Sequence, residues 1–216
     1  MNKKLILVFV IFTILCFNVS ALKIRVADNL GYGYDGILGG ISGADNICNT
    51  TDPPTGSTWK ALIGVPGQRY AGSAGWPLLP NTNYTRADGT TLIGTTNSNS
   101  CFPLPLNNSV ETSSGLNGIW TGLNNDCTAS AYNCGGWTST GGDGTVGNNL
   151  YINDYLSMWD NPCYESLMGI YCVEQPQQQP PPPPPPPETI PEFSTIGLLL
   201  VFVIALTGFV MIKMKK

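Results

Sequence analysis

The first apolar run of the chain spans residues 5–17 and follows the cations Lys3 and Lys4. Small residues come next, up to Ala21. A positive start, an apolar centre and a small-residue end are typical of a secretory signal. We therefore predict that residues 1–21 are a signal peptide and that the protein is exported.

A second apolar run, residues 193–212, has no charged residue and ends in a Lys-rich tip. As a helix it is about 30 Å long, enough to cross the hydrocarbon core of a bilayer. Residues 176–190 before it include eight consecutive prolines, which in the polyproline II conformation form a stiff spacer of roughly 25 Å. The sequence thus predicts a Pro-rich linker at 176–190 and a transmembrane anchor or sorting signal at 191–216.

Between these ends, residues 22–175 have short apolar runs bounded by Gly, Pro and Asn, the pattern of short strands in a loop-rich domain. The runs that predict strands are 59–63, 118–121, 136–138 and 169–173. One segment, 41–48, predicts a helix with Ser42 as its N-cap. Asp45, three residues later, would complete a capping box with Ser42. The tryptophans expected in the core are Trp59, Trp120, Trp137 and Trp159.

Residues 65–110 predict a long loop, because Gly and Pro are frequent at its start and a polar tract follows at 81–100. Long loops often carry binding sites. Within this loop Tyr70, Trp76 and Tyr84 are the aromatic residues that we expect to be exposed and to contact a ligand. The alternative is that they pack locally within the loop.

Composition and charge exclude several classes of protein. The chain has no histidine, which removes His-dependent triads, His-ligated zinc and imidazole acid–base chemistry. Residues 22–175 hold twelve Asp and Glu against five Lys and Arg, a net charge of −7. An acidic domain argues against a nucleic-acid partner. Since no carboxylate pair stands in a recognisable catalytic setting, we expect no enzymatic activity.

The cysteines agree with export to an oxidising compartment. After the signal peptide there are six, an even number suited to three disulfides: Cys48, Cys101, Cys127, Cys134, Cys163 and Cys172. Six cysteines allow about fifteen pairings, and their spacing alone does not choose among them. Three sequons, at Asn49, Asn83 and Asn107, are candidate glycosylation sites.

Two stretches resemble segments of C-type lectin-like domains. Ile-Trp-Thr-Gly-Leu at 119–123 looks like a characteristic strand of that fold. Trp-Asp-Asn-Pro-Cys at 159–163, followed by Cys-Val-Glu at 172–174, looks like its closing segment.

A closer resemblance is to the DUF1554 family of surface-protein domains, which is akin to the endostatin-like lectin fold. It is carried by residues 39–48, 134–139 and 170–175. The resemblance implies an α+β, disulfide-stapled domain of C-type lectin-like (endostatin-like) topology with short strands, one or two helices and long loops. It also implies a nested pairing, with the pairs Cys48–Cys172, Cys134–Cys163 and Cys101–Cys127.

The resemblance bears on calcium as well. Sugar-binding C-type lectins take calcium ligands from a Trp-Asn-Asp strand and a proline-containing tripeptide. Here the tripeptide is missing, and the acid and amide at Asp160 and Asn161 stand in swapped order. We therefore expect no cofactor and a turn before Pro162, with Ca²⁺ bound by Asp160 and Asn161 as the alternative.

The residues Pro191, Glu192 and Phe193, followed by the apolar run and the Lys-rich tip, resemble the tripartite PEF-type sorting signals of archaeal surface proteins. That resemblance implies that a membrane transpeptidase removes the tail and attaches the protein to a lipid. The alternative is a single-pass anchor. Either reading predicts a domain at the cell surface, held at the cytoplasmic membrane by its C-terminal segment.

The sequence therefore predicts a cell-surface adhesion module that recognises an extracellular protein or glycan through its long loops. One alternative is a structural glycoprotein of the cell envelope with no dissociable ligand. Another is a surface polysaccharide hydrolase.

Overall fold

A computed structural model describes residues 21–51, 53–54, 56–112, 115–116 and 118–177. The signal peptide before Ala21, the linker from residue 178 onward and the C-terminal segment with Pro191, Glu192 and Phe193 lie outside these residues. Within the described ranges, no helix has the length and apolar character needed to cross a bilayer.

The described residues form a small α+β domain in which strands predominate. The strands are β1 (Leu22–Ala27), β2 (Trp59–Ala61), β3 (Asn83–Thr85), β4 (Leu92–Thr95), β5 (Gly118–Trp120), β6 (Asp143–Gly147), β7 (Trp159–Pro162) and β8 (Met168–Glu174). The helices are α1 (Gly40–Thr50) and the single turn α2 (Cys134–Trp137).

The strands join in the order β4-β3-β1-β8-β5-β6-β7, and β2 pairs with β8 outside this path. β8 is therefore central. It runs antiparallel to β1, with Ile24 opposite Val173 and Ala27 opposite Ile170, and parallel to β5. Six of its seven residues are buried, as expected for a strand covered on both faces.

Alternate residues of β8 divide the apolar interior into two clusters. Tyr171 and Val173 belong to the first cluster, with Ile24, Tyr84 and Ile119. The intervening Ile170 and Cys172 belong to the second. Side chains of a strand point alternately to opposite faces, so one strand anchors both halves of the core.

The predicted core tryptophans are found in the second cluster. Trp59, Trp120 and Trp137 are fully buried, and Trp159 is partly buried against them. The rings of Trp120 and Trp137 lie 5.9 Å apart between centroids. This part of the core was predictable, because large aromatic residues in short β-rich runs contribute the most apolar area.

The three disulfides are Cys48–Cys172, Cys101–Cys127 and Cys134–Cys163. These are the pairs that the family resemblance implies. Cys48–Cys172 joins α1 to the central strand, and the other two bonds close loops around β5 and β6.

The predicted helix is present, but its predicted cap is wrong. α1 begins at Gly40 after Gly39, whose φ of 78° is left-handed, and no side chain caps its first turn. Ser42 is exposed. The Asp45 carboxylate instead accepts hydrogen bonds from the backbone N–H of Ala61 and from Arg69, because tertiary partners compete with the local capping box.

Most of the segment 136–138, predicted to be a strand, is a left-handed turn instead, and Thr138 forms an isolated β-bridge with Ile37. Cys134, Gly135, Gly136 and Trp137 have φ values of 52°, 62°, 73° and 67°. Glycine adopts this conformation without a Cβ clash, and the Asn133 side chain stabilises it by accepting a hydrogen bond from the Gly136 N–H at 2.7 Å. The turn directs Trp137 into the core.

Candidate ligand-binding site

An open cavity of about 810 Å³ lies where the end of β1, the β3–β4 turn and the segment 110–112 meet. Ile24 and Val110 line it and belong to the first apolar cluster. Concave sites with an apolar base and a few polar groups are the usual form of a ligand site. The charged residues that line the cavity are Arg25, Asp28, Arg86, Asp88 and Glu111.

Arg86 joins two walls of the cavity. Its Nε donates to the backbone carbonyl of Ser109 at 2.8 Å, and its Nη2 donates to the Ser109 hydroxyl at 3.0 Å. The backbone N–H of Arg86 donates to Thr91, which closes the β3–β4 turn. These bonds use only part of the guanidinium group, so it retains donors for a ligand.

Glu111 is the half-buried acid of the site. Its Oε2 accepts a hydrogen bond from the Asn149 side chain at 2.8 Å, and its backbone N–H donates to the Asn149 carbonyl at 3.0 Å. Burial raises the pKa of Glu111, and the negative charge of Asp28 adds to this effect. Asn149 and Arg86 act in the opposite direction.

The raised pKa of Glu111 predicts a pH dependence of stability. Folding favours its protonated form, so this contribution is full below the ordinary Glu pKa of 4.5 and is lost as the pH rises through the higher folded value. We expect the free energy of unfolding of the wild type, relative to Glu111→Gln, to fall above about pH 4.5. Urea unfolding of both proteins across this range measures the difference, and a difference independent of pH would contradict the prediction.

Asp88 shapes the turn rather than offering free acceptors. Its Oδ1 accepts from the backbone N–H groups of Thr90 and Thr91, and its Oδ2 accepts from the Thr91 hydroxyl. The hydrogen bonds from Thr91 lower the pKa of Asp88 most, and Thr90 contributes further. The carboxylate is therefore ionised and adds negative charge to the rim.

A buried hydroxyl lies in the core behind the cavity. Tyr171 is fully buried, and its hydroxyl has no hydrogen-bond partner among the described residues. Burial raises the pKa of Tyr171 well above its ordinary value, and Tyr155 and Glu111 raise it further. The hydroxyl is therefore within electrostatic reach of Glu111 and stays protonated.

Two of the three aromatic residues predicted to contact a ligand are in the core. Trp76 is 8% exposed, and its Nε1 donates to the Ser100 carbonyl at 2.8 Å. Tyr84 is 0% exposed, its hydroxyl accepts from the Leu79 N–H, and burial raises its pKa to about 12. The prediction that they are exposed is wrong, because the segment 65–110 folds back as β3 and β4 and encloses both rings. Tyr70 is 39% exposed.

The predicted turn at Asp160 and Asn161 is part of a strand. Both lie in β7, opposite Thr145 and Gly144 of β6, and Asp160 Oδ1 accepts from the Thr145 hydroxyl at 2.8 Å. Neighbouring residues of a strand project to opposite faces, so these two side chains diverge. The described part of the chain contains no group of three or more His, Cys, Asp or Glu residues placed to hold a metal ion.

The three sequons differ in their surroundings. The Asn49 amide donates to the carbonyls of Asp45 and Trp59, each at 2.7 Å, and its Oδ1 accepts from the Trp59 N–H. Both amide hydrogens are thus used within the fold, so a glycan on Asn49 would replace one of these bonds. Asn83 and Asn107 are exposed.

Where the native protein is glycosylated, we expect glycans on Asn83 and Asn107 and none on Asn49. A glycan on Asn49 would remove an amide hydrogen that bonds α1 to β2. Mass spectrometry of proteolytic glycopeptides checks this, with Asn83→Gln to confirm the assignment. An occupied Asn49 in folded protein would contradict the prediction.

The charged residues of the cavity were not predicted from the sequence as a group. Asp28, Arg86 and Glu111 are far apart along the chain and form no motif. The predicted binding loop supplies Arg86 to Asp88 and ends at Val110, so it forms one wall of the cavity. The other walls come from β1 and from the segment after Val110.

The sequence model of the family described as "Protein of unknown function (DUF1554)" matches residues 31–152, more than half of the chain. No curated protein matches the chain.

Proposed function

The chain belongs to the DUF1554 family, and we propose that its domain is a cell-surface binding module that recognises an extracellular protein or glycan. The observation that carries the proposal is the open cavity lined by Asp28, Arg86 and Glu111. Three disulfides and a core on both faces of β8 hold these side chains on a rigid scaffold. A rigid site loses less entropy on binding.

The groups of the cavity suit a ligand with several polar groups. Arg86 supplies donors, whereas Asp28 and Glu111 supply acceptors. Ile24 and Val110 border the cavity but are almost completely buried, so most of the contact with a ligand falls to the polar residues. Sugar hydroxyls and polar peptide groups both fit this combination, and binding requires no chemical step.

The proposal includes the finer fold and the location. The domain adopts a C-type lectin-like (endostatin-like) topology, consistent with its paired cysteines and its mainly β composition. The signal peptide at 1–21 exports it, and the segment 191–216 anchors it as a single-pass helix or after transfer to a lipid. These two segments are the basis for the proposed location at the cell surface.

The test is binding of the full chain, purified in detergent with its disulfides intact, to an array of glycans and extracellular-matrix proteins. Each measurement is made with calcium and with a chelator. A glycan signal that needs calcium would assign Ca²⁺ to the site, and a signal insensitive to chelator would assign metal-free recognition. Absence of any signal would favour a structural role in the envelope.

Two cavity variants and one matched control connect the signal to the site. Asp28→Asn and Glu111→Gln each remove one carboxylate, and each is expected to weaken binding by about tenfold, the usual effect of losing one charged hydrogen-bond partner. Asp143→Asn makes the same chemical change at an exposed position on β6. Binding that is unchanged in both cavity variants would contradict the proposed site.

A further inference from the structure

The loop after β1, residues 28–33, exposes two large apolar side chains. Leu30 and Tyr32 are 88% and 75% exposed, the highest values among large hydrophobic residues in the described part of the chain. Tyr164 and Leu167 add exposures of 67% and 39%. We call these four residues the docking face.

Hydrogen bonds place the two halves of the docking face side by side. The Tyr34 N–H donates to the Met168 carbonyl at 2.7 Å, and the Gly36 N–H donates to the Cys163 carbonyl at 2.7 Å. The chain after Leu30 and Tyr32 thus runs alongside the segment that carries Tyr164 and Leu167. The Cys134–Cys163 disulfide fixes that segment to the rest of the domain.

The loop itself has one defined shape. The N–H groups of Gly31 and Gly33 both donate to the Asp28 carbonyl, at 3.2 and 2.7 Å. At Gly33, φ is +66° and a Cβ would lie 2.4 Å from the Ser166 carbonyl oxygen, so no larger residue fits. The apolar side chains are therefore held in place before any partner arrives, which favours tight binding.

Leu30 is an unusual residue for its backbone conformation. Its φ is 57° and that of Asn29 is 49°, a left-handed region that Gly and Asn tolerate and that leucine avoids. A leucine in this conformation normally gains packing contacts in return, yet Leu30 is almost fully exposed. Strained backbone that serves no packing purpose is characteristic of binding sites.

The charges around the docking face have one sign. Asp28 lies at the base of the loop, Asp35 follows it, and Glu165 lies between Tyr164 and Leu167. All five Lys and Arg residues of 22–175 are buried or half-buried, so cations contribute little to the described surface. This argues against a second copy of the chain and against an anionic membrane, since both would be repelled.

We propose that the docking face binds a protein partner that presents a segment with apolar side chains flanked by Lys and Arg. Leu30 and Tyr32 pack against these apolar side chains, and the acidic residues around them pair with the flanking cations. This interaction goes beyond the proposed function, because none of the four residues of the docking face lines the cavity; Asp28 alone borders both.

The docking face lies at one end of the paired strands β1 and β8. β1 and β8 are antiparallel, with Ile24 opposite Val173 at one end and Ala27 opposite Ile170 at the other. The loop follows Ala27, whereas the chain leaves β8 through Gln175 at the opposite end of the sheet. The docking face and Gln175 therefore lie at opposite ends of the β1–β8 pair.

The test is selection of a random peptide library displayed on phage against the full chain in detergent, with disulfides intact. We expect enriched peptides to combine an aromatic or aliphatic residue with flanking Lys or Arg. A synthetic peptide of the enriched sequence is then titrated, and its affinity should fall as salt is added, because exposed charges are screened.

Variants of the docking face locate the peptide. Leu30→Asn keeps a residue that tolerates the left-handed conformation and removes the apolar side chain, and Tyr32→Ser removes the ring. Each should weaken the affinity for the peptide by about tenfold or more, as expected for an anchor residue. The melting temperature should be unchanged, or raised in Leu30→Asn, which distinguishes lost binding from misfolding.

Two controls separate this proposal from the cavity. Tyr151→Ser removes another exposed tyrosine, 48% exposed, and Glu111→Gln alters the cavity; both should bind the peptide as the wild type does. Several outcomes would overturn the proposal: no enrichment, acidic peptides, or apolar peptides without cations, which would point to a lipid. Unchanged peptide binding in both docking-face variants would also overturn it. So would self-association of the protein that Leu30→Asn abolishes.

Discussion

Replacing Cys48 and Cys172 together with alanine is expected to lower the free energy of unfolding by about 5 kcal/mol, because this disulfide closes the longest loop of the domain. The two cysteines are separated by 124 positions. Without the bond, the unfolded chain regains the entropy that closure of this loop removes. A domain of this size is usually stable by only about 5–15 kcal/mol, so a large part of its stability is lost.

The smaller Cys101–Cys127 loop is the matched control. Its cysteines are 26 positions apart, and the same model gives a loss of about 3.5 kcal/mol for the double alanine variant. Both pairs are buried, so the two variants leave similar voids. Guanidinium unfolding of both variants measures the two losses. A larger loss for the Cys101–Cys127 variant would contradict the expected dependence on loop length.

Arg69→Met is expected to lower the free energy of unfolding by about 3 kcal/mol, because it leaves Asp45 without its partner. Arg69 donates to both carboxylate oxygens of Asp45, at 2.7 and 2.8 Å, and to the Ala61 carbonyl at 3.1 Å. The two side chains are only 6% and 23% exposed. Because the pair is mostly buried, the attraction between the two charges is stronger than at the surface. An ionised Asp45 without Arg69 would therefore destabilise the folded state.

Lys60→Met is the control for removal of a half-buried cation, since Lys60 forms no ion pair with any described residue. Asp45→Asn and the double variant complete a mutant cycle that isolates the interaction energy. Thermal and urea unfolding supply the four free energies. An Arg69→Met loss no larger than that of Lys60→Met would show that the ion pair contributes little.

The sequence predicted the parts of the fold that depend on apolar runs and cysteines. The strand runs at 59–63, 118–121 and 169–173 contain β2, β5 and most of β8. The disulfides followed from resemblance, since composition alone left the pairing open. The left-handed turn at Cys134–Trp137 was missed because two glycines within a β-rich run permit either structure.

The candidate site was harder to predict than the core. The hydrogen bonds Arg86–Ser109 and Glu111–Asn149 join residues separated by 23 and 38 positions, and no local pattern brings such residues together. The errors at Trp76 and Tyr84 have the same origin. A polar tract gives no sign that β3 will pair with β1 or that Tyr84 will pack against Phe102 in the core.

The antiparallel pairing of β1 with β8 also has a consequence for engineering. Ala21 and Leu22 line the same cavity as Glu174, Gln175 and Gln177. The start of β1 therefore lies close to the end of β8. A short Gly-Ser connection could join them, and a circular permutant could be opened at an exposed turn such as the one at Gly67. For the same reason the domain could be inserted as a cassette into a surface loop of another protein without separating the two ends of that loop.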